Sequence, residues 1–185
     1  MKYFWYGVIL IIGVVLANGI IDKMSFSKKS DNSKRLECQM KSTTFERIIR
    51  AELIETLQKS IENNSAIINI DIDKAKYMES RLFYYVKPEV VKSQIEEKIK
   101  TYNKNKLDLK DNITINVLIY ENDKDDPGKK SDKAKLYAGY LVFSCLVNNQ
   151  LAYKIQIDFM DDEGLDIPSK ISCAIDSIMT LKENK

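Results

Sequence analysis

The sequence contains no histidine, and this absence removes several kinds of chemistry at once. Histidine is the commonest general base, the partner of nucleophilic serine and cysteine, and a ligand in most catalytic zinc sites. Carboxylates, lysine, tyrosine and serine are the side chains that remain for catalysis. We therefore expect a protein that is not an enzyme, and a histidine-independent enzyme stays open as a third alternative.

Cysteine is also scarce, and the three that are present follow no spacing typical of a site. Cys38, Cys145 and Cys173 form no CxxC pair, so the sequence indicates neither a zinc site nor a disulfide framework. Cys145 and Cys173 are the natural pair to test. Because Cys173 lies nearly opposite the apolar stripe of the last predicted helix, we expect it to face outward and this pair to be unbridged. A single pairing, within or between chains, would still fit an exported protein.

Charge of one sign is not in excess, since 29 basic and 27 acidic residues give a formal net charge of +2. The two signs are mixed along the chain, so no strong field exists to attract nucleic acid. We expect no nucleic-acid partner. Six glycines and three prolines are few, which favours a folded domain over a disordered chain.

One long apolar run begins the chain, at residues 3–21, YFWYGVILIIGVVLANGII. As a helix this run reaches about 28 Å, close to the hydrocarbon thickness of a bilayer. Its first four residues are aromatic, and such rings favour the headgroup level of a membrane. The run is therefore predicted to be a transmembrane anchor, with membrane contact through residues 3–21.

Two alternatives for this run stay open. Lys2 before an apolar core, with Val15 and Ala17 at the positions a signal peptidase inspects, is also typical of a secretory signal cleaved after Ala17. Basic residues that follow the run would instead keep the domain cytoplasmic by the positive-inside rule. We expect the domain to lie on the exported side, periplasmic or extracellular, either anchored or released after cleavage.

The composition divides the chain into three parts. Residues 1–21 are the anchor or signal segment, and residues 22–41 are a polar linker rich in serine and lysine. Residues 42–185 are long enough to form a single domain with its own core.

The domain is predicted to open with a helix. Residues 43–46, Thr-Thr-Phe-Glu, match a capping box. Apolar residues then recur every four positions, at Phe45, Ile49, Leu53, Leu57 and Ile61. This ridge indicates a core-facing helix or, alternatively, a helix that binds a partner or a second copy.

Alternating apolar residues predict five strands, with two more helices beginning near Pro88 and Asp166. The predicted strands cover residues 66–72, 80–86, 113–120, 135–147 and 151–159, with Asn148 and Asn149 supplying a hairpin turn between the last two. The order is helix, two strands, helix, three strands, helix. We therefore predict an α+β fold, with a mainly antiparallel sheet and helices packed on one face.

This element order resembles the ferredoxin-like periplasmic domains of membrane-anchored secretion and pilus-assembly proteins. Two halves of helix-strand-strand form carry the resemblance, together with the very short tail before the apolar run. No sequence motif accompanies it. The resemblance implies an exported accessory component of such an assembly.

The loop ENDKDDPGKKSDK partly matches a calcium loop, with Asp123, Asp125 and Gly128 at suitable spacing. Pro127 and Ala134 stand where further ligands are needed, so we interpret it as a solvated hairpin loop. The same loop lacks the glycine and the Ser or Thr that a phosphate-binding loop requires.

Other acidic residues form weaker candidates. Asp161, Asp162 and Glu163 could flank a sugar cleft, and Asp71 and Asp73 share the polar side of a strand, where they could bind a metal. Acidic residues at a turn or on an exposed strand side are usually solvated. The sequence therefore predicts no catalytic, cofactor-binding or metal-binding residues.

Tyrosines are numerous and could stack sugars or peptides in a groove; the candidates are Tyr84, Tyr85, Tyr137, Tyr140 and Tyr153. Aromatic residues at strand spacing usually pack across strands, which is the interpretation we adopt.

These observations predict a non-enzymatic, membrane-anchored cell-envelope protein. Its exported domain would be a structural or interaction module in a larger assembly, as a secretion- or pilus-type accessory component. The expected partners are other envelope proteins or a second copy. The alternative is a secreted or periplasmic binding protein with a cleaved signal and a groove for a small molecule or lipid.

Overall fold

The fold was established from a computed structural model that describes residues 35–63, 65–104, 112–129 and 131–181. The apolar run at 3–21 and the first part of the predicted linker lie outside these residues. Within the described part of the chain, no helix combines the length and the apolar character needed to cross a bilayer. The anchor or signal segment therefore stays a prediction.

The described domain alternates helices and strands, and two short 3-10 turns lie at Ala51–Leu53 and Asp132–Lys135. In chain order, its elements are α1 (Glu37–Met40), β1 (Thr44–Ile48), α2 (Ile54–Glu62), β2 (Ala66–Asp73), α3 (Leu82–Tyr85), α4 (Pro88–Lys100), β3 (Ile113–Glu121), β4 (Gly139–Val147), β5 (Gln150–Phe159) and α5 (Ile167–Met179).

The strands form one five-stranded sheet in the order β1-β5-β4-β3-β2. The predicted α+β class is confirmed, but the sheet is mixed. Its β1/β5, β5/β4 and β4/β3 pairs are antiparallel, whereas β2 and β3 are parallel. The parallel pair arises because α4 connects β2 to β3, and such a crossover returns the chain in the same direction.

The core lies between the sheet and the three longer helices α2, α4 and α5. Alternate residues of β3, from Ile113 to Ile119, are fully buried, as the predicted strand pattern requires. The helices meet them with the apolar stripes Ile54, Leu57, Ile61; Val91, Ile95, Ile99; and Ile171, Ala174, Ile175, Ile178. The other side of β3 is half-exposed.

The hairpin between β4 and β5 is confirmed, with its turn at Asn148 and Asn149. Both residues have positive φ, 48° and 62°. Two-residue hairpin turns need this conformation because its twist matches that of the flanking strands, and asparagine tolerates it well.

The helix predicted to start at Thr43 is wrong over its first part, where the structure has strand β1. The Asp158 amide donates to the Thr43 carbonyl (3.0 Å), and the Ile49 amide donates to the Ala152 carbonyl (2.8 Å), so this segment pairs with β5. A spacing of four residues keeps Phe45 and Ile49 on one side of either a helix or a strand. The ridge therefore did not distinguish the two structures, and the helix begins only at Ile54.

The strand predicted at residues 80–86 is also wrong, because Leu82–Tyr85 forms the short helix α3. The Glu121 carboxylate accepts hydrogen bonds from the amides of Arg81 and Leu82 at the start of this helix. That carboxylate is distant in sequence, so local residue preferences could not reveal it. Without this strand and the first helical turns, the repeated helix-strand-strand order that carries the ferredoxin-like resemblance is not present.

A disulfide joins Cys38 in α1 to Cys173 in α5, with Cα atoms 5.8 Å apart. The expectation that Cys173 faces outward is wrong, since it is buried. Cys145 and Cys173 are not bonded to each other, as expected, and Cys145 is a buried free thiol. Burial raises the pKa of Cys145 to about 12, so it stays protonated at neutral pH.

Hydrogen bonds attach the same N-terminal segment to the domain. The Arg35 guanidinium donates to both carboxylate oxygens of Glu46 (2.8 Å each) and to the Ser177 carbonyl (2.9 Å). Burial raises the pKa of Glu46, but hydrogen bonds from Arg35 and the Tyr153 hydroxyl outweigh burial and leave it below its usual value. The last residues of the segment interpreted as a linker are therefore packed on the domain.

Replacing Cys38 by serine should lower the free energy of unfolding by about 4–5 kcal/mol, because the bond closes a loop of 135 residues in the unfolded chain. Urea unfolding of the oxidised protein measures this loss. As a control, reductant should destabilise the native sequence and leave Cys38→Ser unchanged. Equal urea midpoints for the oxidised native protein and the variant would contradict a stabilising role.

Candidate functional site

One end of the sheet carries a group of exposed large side chains. At this end β2, β3 and β5 finish and β4 begins, since Asp73 pairs with Tyr120 and Gly139 with both Glu121 and Phe159. We call it the loop end. Its exposed side chains are Tyr77 (63%), Tyr84 (66%), Tyr85 (57%), Leu136 (67%), Met160 (57%) and Leu165 (75%). Contiguous exposed apolar groups mark interaction surfaces more often than isolated ones do.

Glu121, the last residue of β3, fixes the connection that follows β2. Its side chain is 2% exposed, and one carboxylate oxygen accepts the amides of Arg81 (2.8 Å) and Leu82 (2.9 Å). The other oxygen accepts the amide of Ala75 (3.1 Å). One buried side chain therefore holds both ends of the irregular segment between β2 and α3.

Asp123 fixes the middle of the same connection. Its Oδ2 atom accepts the amides of Lys76 (2.6 Å) and Tyr77 (2.7 Å), and its side chain is 5% exposed. A surface connection usually leaves such amides to water. We name residues 74–87 the clamped loop, because these two carboxylates hold its backbone in one conformation.

Asn122, between the two carboxylates, fixes the neighbouring connection. It is fully buried, and its amide group donates to the carbonyls of Ala134 (2.9 Å) and Tyr137 (2.7 Å). Lys129 donates to the Asn122 side chain from the opposite direction. The loop that partly matched a calcium site is therefore tied to β3 by its own side chains, with Asp123 turned toward backbone amides.

The clamp carboxylates are ionised at neutral pH. Burial raises the pKa of Glu121, but hydrogen bonds from the Ser80 hydroxyl and from backbone amides outweigh burial and lower it. Burial and backbone hydrogen bonds oppose each other in the same way at Asp123, with the same result. Because these acceptors are occupied by amide protons, both groups serve as structural anchors. No cluster of three or more metal-ligating side chains occurs among the residues that the structure describes.

The clamped loop presents positive charge beside its tyrosines. Its exposed basic residues are Lys74, Lys76, Arg81 and Lys87, against one acidic residue, Glu79. The Lys74 ammonium lies 5.8 Å from the centre of the Phe83 ring, a cation-π distance. A depression of about 320 Å³ opens between them and is lined by Lys74, Glu79, Ser80, Phe83 and Tyr84.

An acidic turn at residues 160–165 adjoins the clamped loop. The Asp161 carboxylate accepts the amides of Glu163 (2.9 Å) and Leu165 (3.1 Å), which closes the turn. Gly164 has φ +76°, and a Cβ there would lie 2.4 Å from a methyl carbon of Val86. Glycine is therefore required for the turn to rest against the end of the clamped loop. The acidic residues lie at a turn, as predicted, and the carboxylate of Asp161 is engaged by backbone amides.

Lys124 also connects the clamped loop to the acidic turn. Its amide donates to the Met78 sulfur of the clamped loop, and its ammonium bonds the carboxylate of Asp162 at 2.8 Å. The basic aromatic loop and the acidic turn are thus neighbours on one surface.

Of the other candidate tyrosines, Tyr140 packs across strands as predicted. Tyr120 and Tyr140 stack across β3 and β4 with ring centres 4.3 Å apart, and Tyr137 lies beside Tyr140 at 6.5 Å. Tyr153 is buried and donates to Glu46 (2.6 Å). Burial raises the pKa of Tyr140 to about 12.

Tyr84 and Tyr85 depart from that prediction, because α3 places them on the surface. Asp71 and Asp73 lie on β2, on the side opposite to buried Ile68. The clamped loop was not predicted from the sequence. Its signal was the run KAKYMESRLFYYVK, in which aromatic and basic residues alternate closely.

Replacing Glu121 by glutamine should lower the free energy of unfolding by about 2–3 kcal/mol, because buried amides lose a charged acceptor. Urea unfolding at pH 7 measures the loss. Glu97→Gln, on the exposed side of α4, is the matched control and should change stability little. A Glu121→Gln protein as stable as the native one would contradict the clamp.

The difference in unfolding free energy between the native protein and Glu121→Gln should depend on pH. The folded pKa of Glu121 is lowered, so its contribution is complete above the unfolded value of about 4.3 and is lost as the pH falls through the folded value. The stability difference between native protein and Glu121→Gln should therefore hold down to about pH 4.5 and shrink below about pH 4. A difference that grows on acidification would contradict this assignment.

Comparison with known proteins gives no match: no family model, no curated protein and no solved structure corresponds to this chain. One fold can carry many functions, so the contacts, charges and exposed side chains of the loop end are the guide to what this domain does.

Proposed function

We propose that this chain is a non-enzymatic, membrane-anchored envelope protein whose α+β domain lies on the exported side and serves as an interaction module in a larger assembly. The observation that carries the interaction role is the loop end, where buried carboxylates hold a basic, tyrosine-rich loop in a fixed conformation. The apolar run at residues 3–21 supplies the predicted anchor.

The disulfide supports the exported location. Stable disulfides are rare where thiol reductants are abundant and common in secreted and periplasmic proteins. Cys38 and Cys173 lie far apart in sequence yet meet at disulfide distance across α1 and α5. This pairing favours export over the orientation that keeps the domain in the cytoplasm.

The side chains at the loop end favour protein recognition. Tyrosine, arginine and methionine are enriched at the centres of protein interfaces, and Tyr77, Tyr84, Arg81 and Met160 are exposed here. A loop that is already ordered loses less conformational entropy on binding. The clamp therefore favours tighter binding to a partner as well as a fixed shape of the binding surface.

The alternative, a cleaved binding protein with a small-molecule or lipid groove, has less support. Ligand pockets enclose most of their ligand. The depression beside Phe83, about 320 Å³, and another of about 300 Å³ beside Ile99 are both open to solvent. We therefore favour binding to the surface of a partner protein over enclosure of a small molecule or lipid.

The proposal is tested in cells that produce the chain, with thiols alkylated at lysis under denaturing conditions and the intact mass then measured. We expect a full-length chain in the membrane fraction with one alkylated cysteine, Cys145, and three after prior reduction. The Cys38→Ser chain is the control and should show two alkylated cysteines without reductant.

Two results would count against this proposal. Three alkylated cysteines without reductant would indicate a reducing compartment and a cytoplasmic domain. A chain beginning at Asn18 in the non-membrane fraction would replace the anchored protein by the cleaved alternative.

A further inference from the structure

We infer that the loop end docks on the loop end of a second copy of this chain, with the clamped loop of each copy lying on the acidic turn of the other. The inference deepens the proposed interaction role, on which it rests, by naming the partner. The alternatives, an anionic bilayer and an unrelated protein, become outcomes of the test.

Charge complementarity is the first argument for a second copy. The clamped loop exposes four basic residues and one acidic residue. The adjoining turn has no basic residue; backbone amides engage its Asp161 carboxylate, Lys124 of the same chain pairs with Asp162, and Glu163 is exposed to a partner. Each half therefore offers the charge that the other half attracts, and complementary potentials favour one docking orientation over others.

The fixed arrangement of the two halves is the second argument. Gly164 rests against Val86, and Lys124 contacts both Met78 and Asp162, so the basic and acidic halves lie side by side. A twofold axis between them brings each half onto its opposite in the second copy. Such an isologous interface forms both contacts at once and closes at two chains.

The exposed apolar side chains supply the third argument. Tyr77, Tyr84 and Tyr85 project from one half, and Met160 and Leu165 from the other, each more than half exposed. At about 150–250 Å² for a large side chain, these five offer roughly 500 Å². With the charged residues around them, the surface approaches the 800 Å² or so that each partner buries in a stable interface.

The acidic turn also argues against a bilayer as the occupant. Tyrosine and lysine together are typical of surfaces that bind anionic lipid. Asp162 and Glu163 on the same surface would be repelled by that lipid. A clamped backbone is likewise of little use against a fluid headgroup layer, whereas it suits a partner with a fixed shape.

The test uses the full-length chain in detergent micelles and two charge reversals at exposed positions, Lys76→Glu and Glu163→Lys. Sedimentation velocity gives the dimer dissociation constant. We expect each single reversal to weaken the dimer by about tenfold or more, and the double variant to recover to within about threefold of the native chain. Lys100→Glu and Glu97→Lys, at the far end of α4, are matched controls that should leave the dimer unchanged.

Three results would overturn the inference. The first is a native chain that stays monomeric at a protein concentration of about 100 μM, well above the dissociation constants of specific protein interfaces. The second is a dimer of unchanged strength in both single reversals, which would place the contact elsewhere. The third is dissociation of the native dimer when anionic lipid is mixed into the micelles, which would make the bilayer the occupant. None of these alters the compartment or the thiol pattern, so failure here is distinguishable from failure of the proposed function.

Discussion

The hydrogen bonds that Glu121 and Asp123 accept from backbone amides are the constraint on which the loop end depends. They join the end of β3 to the connection that leaves β2, and they start α3 at Leu82. Exposed tyrosines are held at fixed positions by side chains that are themselves buried. The residues available to a partner are therefore different from the residues that stabilise the loop.

A second constraint acts at the opposite edge of the sheet. The disulfide and the Arg35 guanidinium attach the first described residues to α5 and to β1. All the strands in the described part of the chain lie between Cys38 and Cys173 in sequence, so the covalent loop encloses this sheet. A domain closed in this way suits an oxidising compartment, where the disulfide persists. Its stability and its proposed location thus depend on the same pair of residues.

The sequence was sufficient wherever local pattern and burial agree. The alternation in β3, the Asn148-Asn149 turn and the helix after Pro88 were all predictable, because each depends on neighbours in sequence. The sequence was not sufficient where a contact with a residue distant in sequence determines the local structure. Thr44–Ile48 became a strand through pairing with β5, and Leu82–Tyr85 became a helix through Glu121. Cys38 was assigned to a linker, so its partner could not be inferred, and the clamped loop was not recognised because the carboxylates that hold it lie about 40 residues away in sequence.

The most direct test of a docking role for the loop end is site-specific photocrosslinking in intact cells, with a photoreactive phenylalanine in place of Tyr84. Both the exposure of Tyr84 and the rigidity of its surroundings favour a defined crosslink at this position. The same group in place of Lys100, exposed at the far end of α4, is the comparison. The account predicts a crosslinked species with the mass of two chains from position 84 and none from position 100. No crosslink at position 84, or equal crosslinking at both positions, would contradict it.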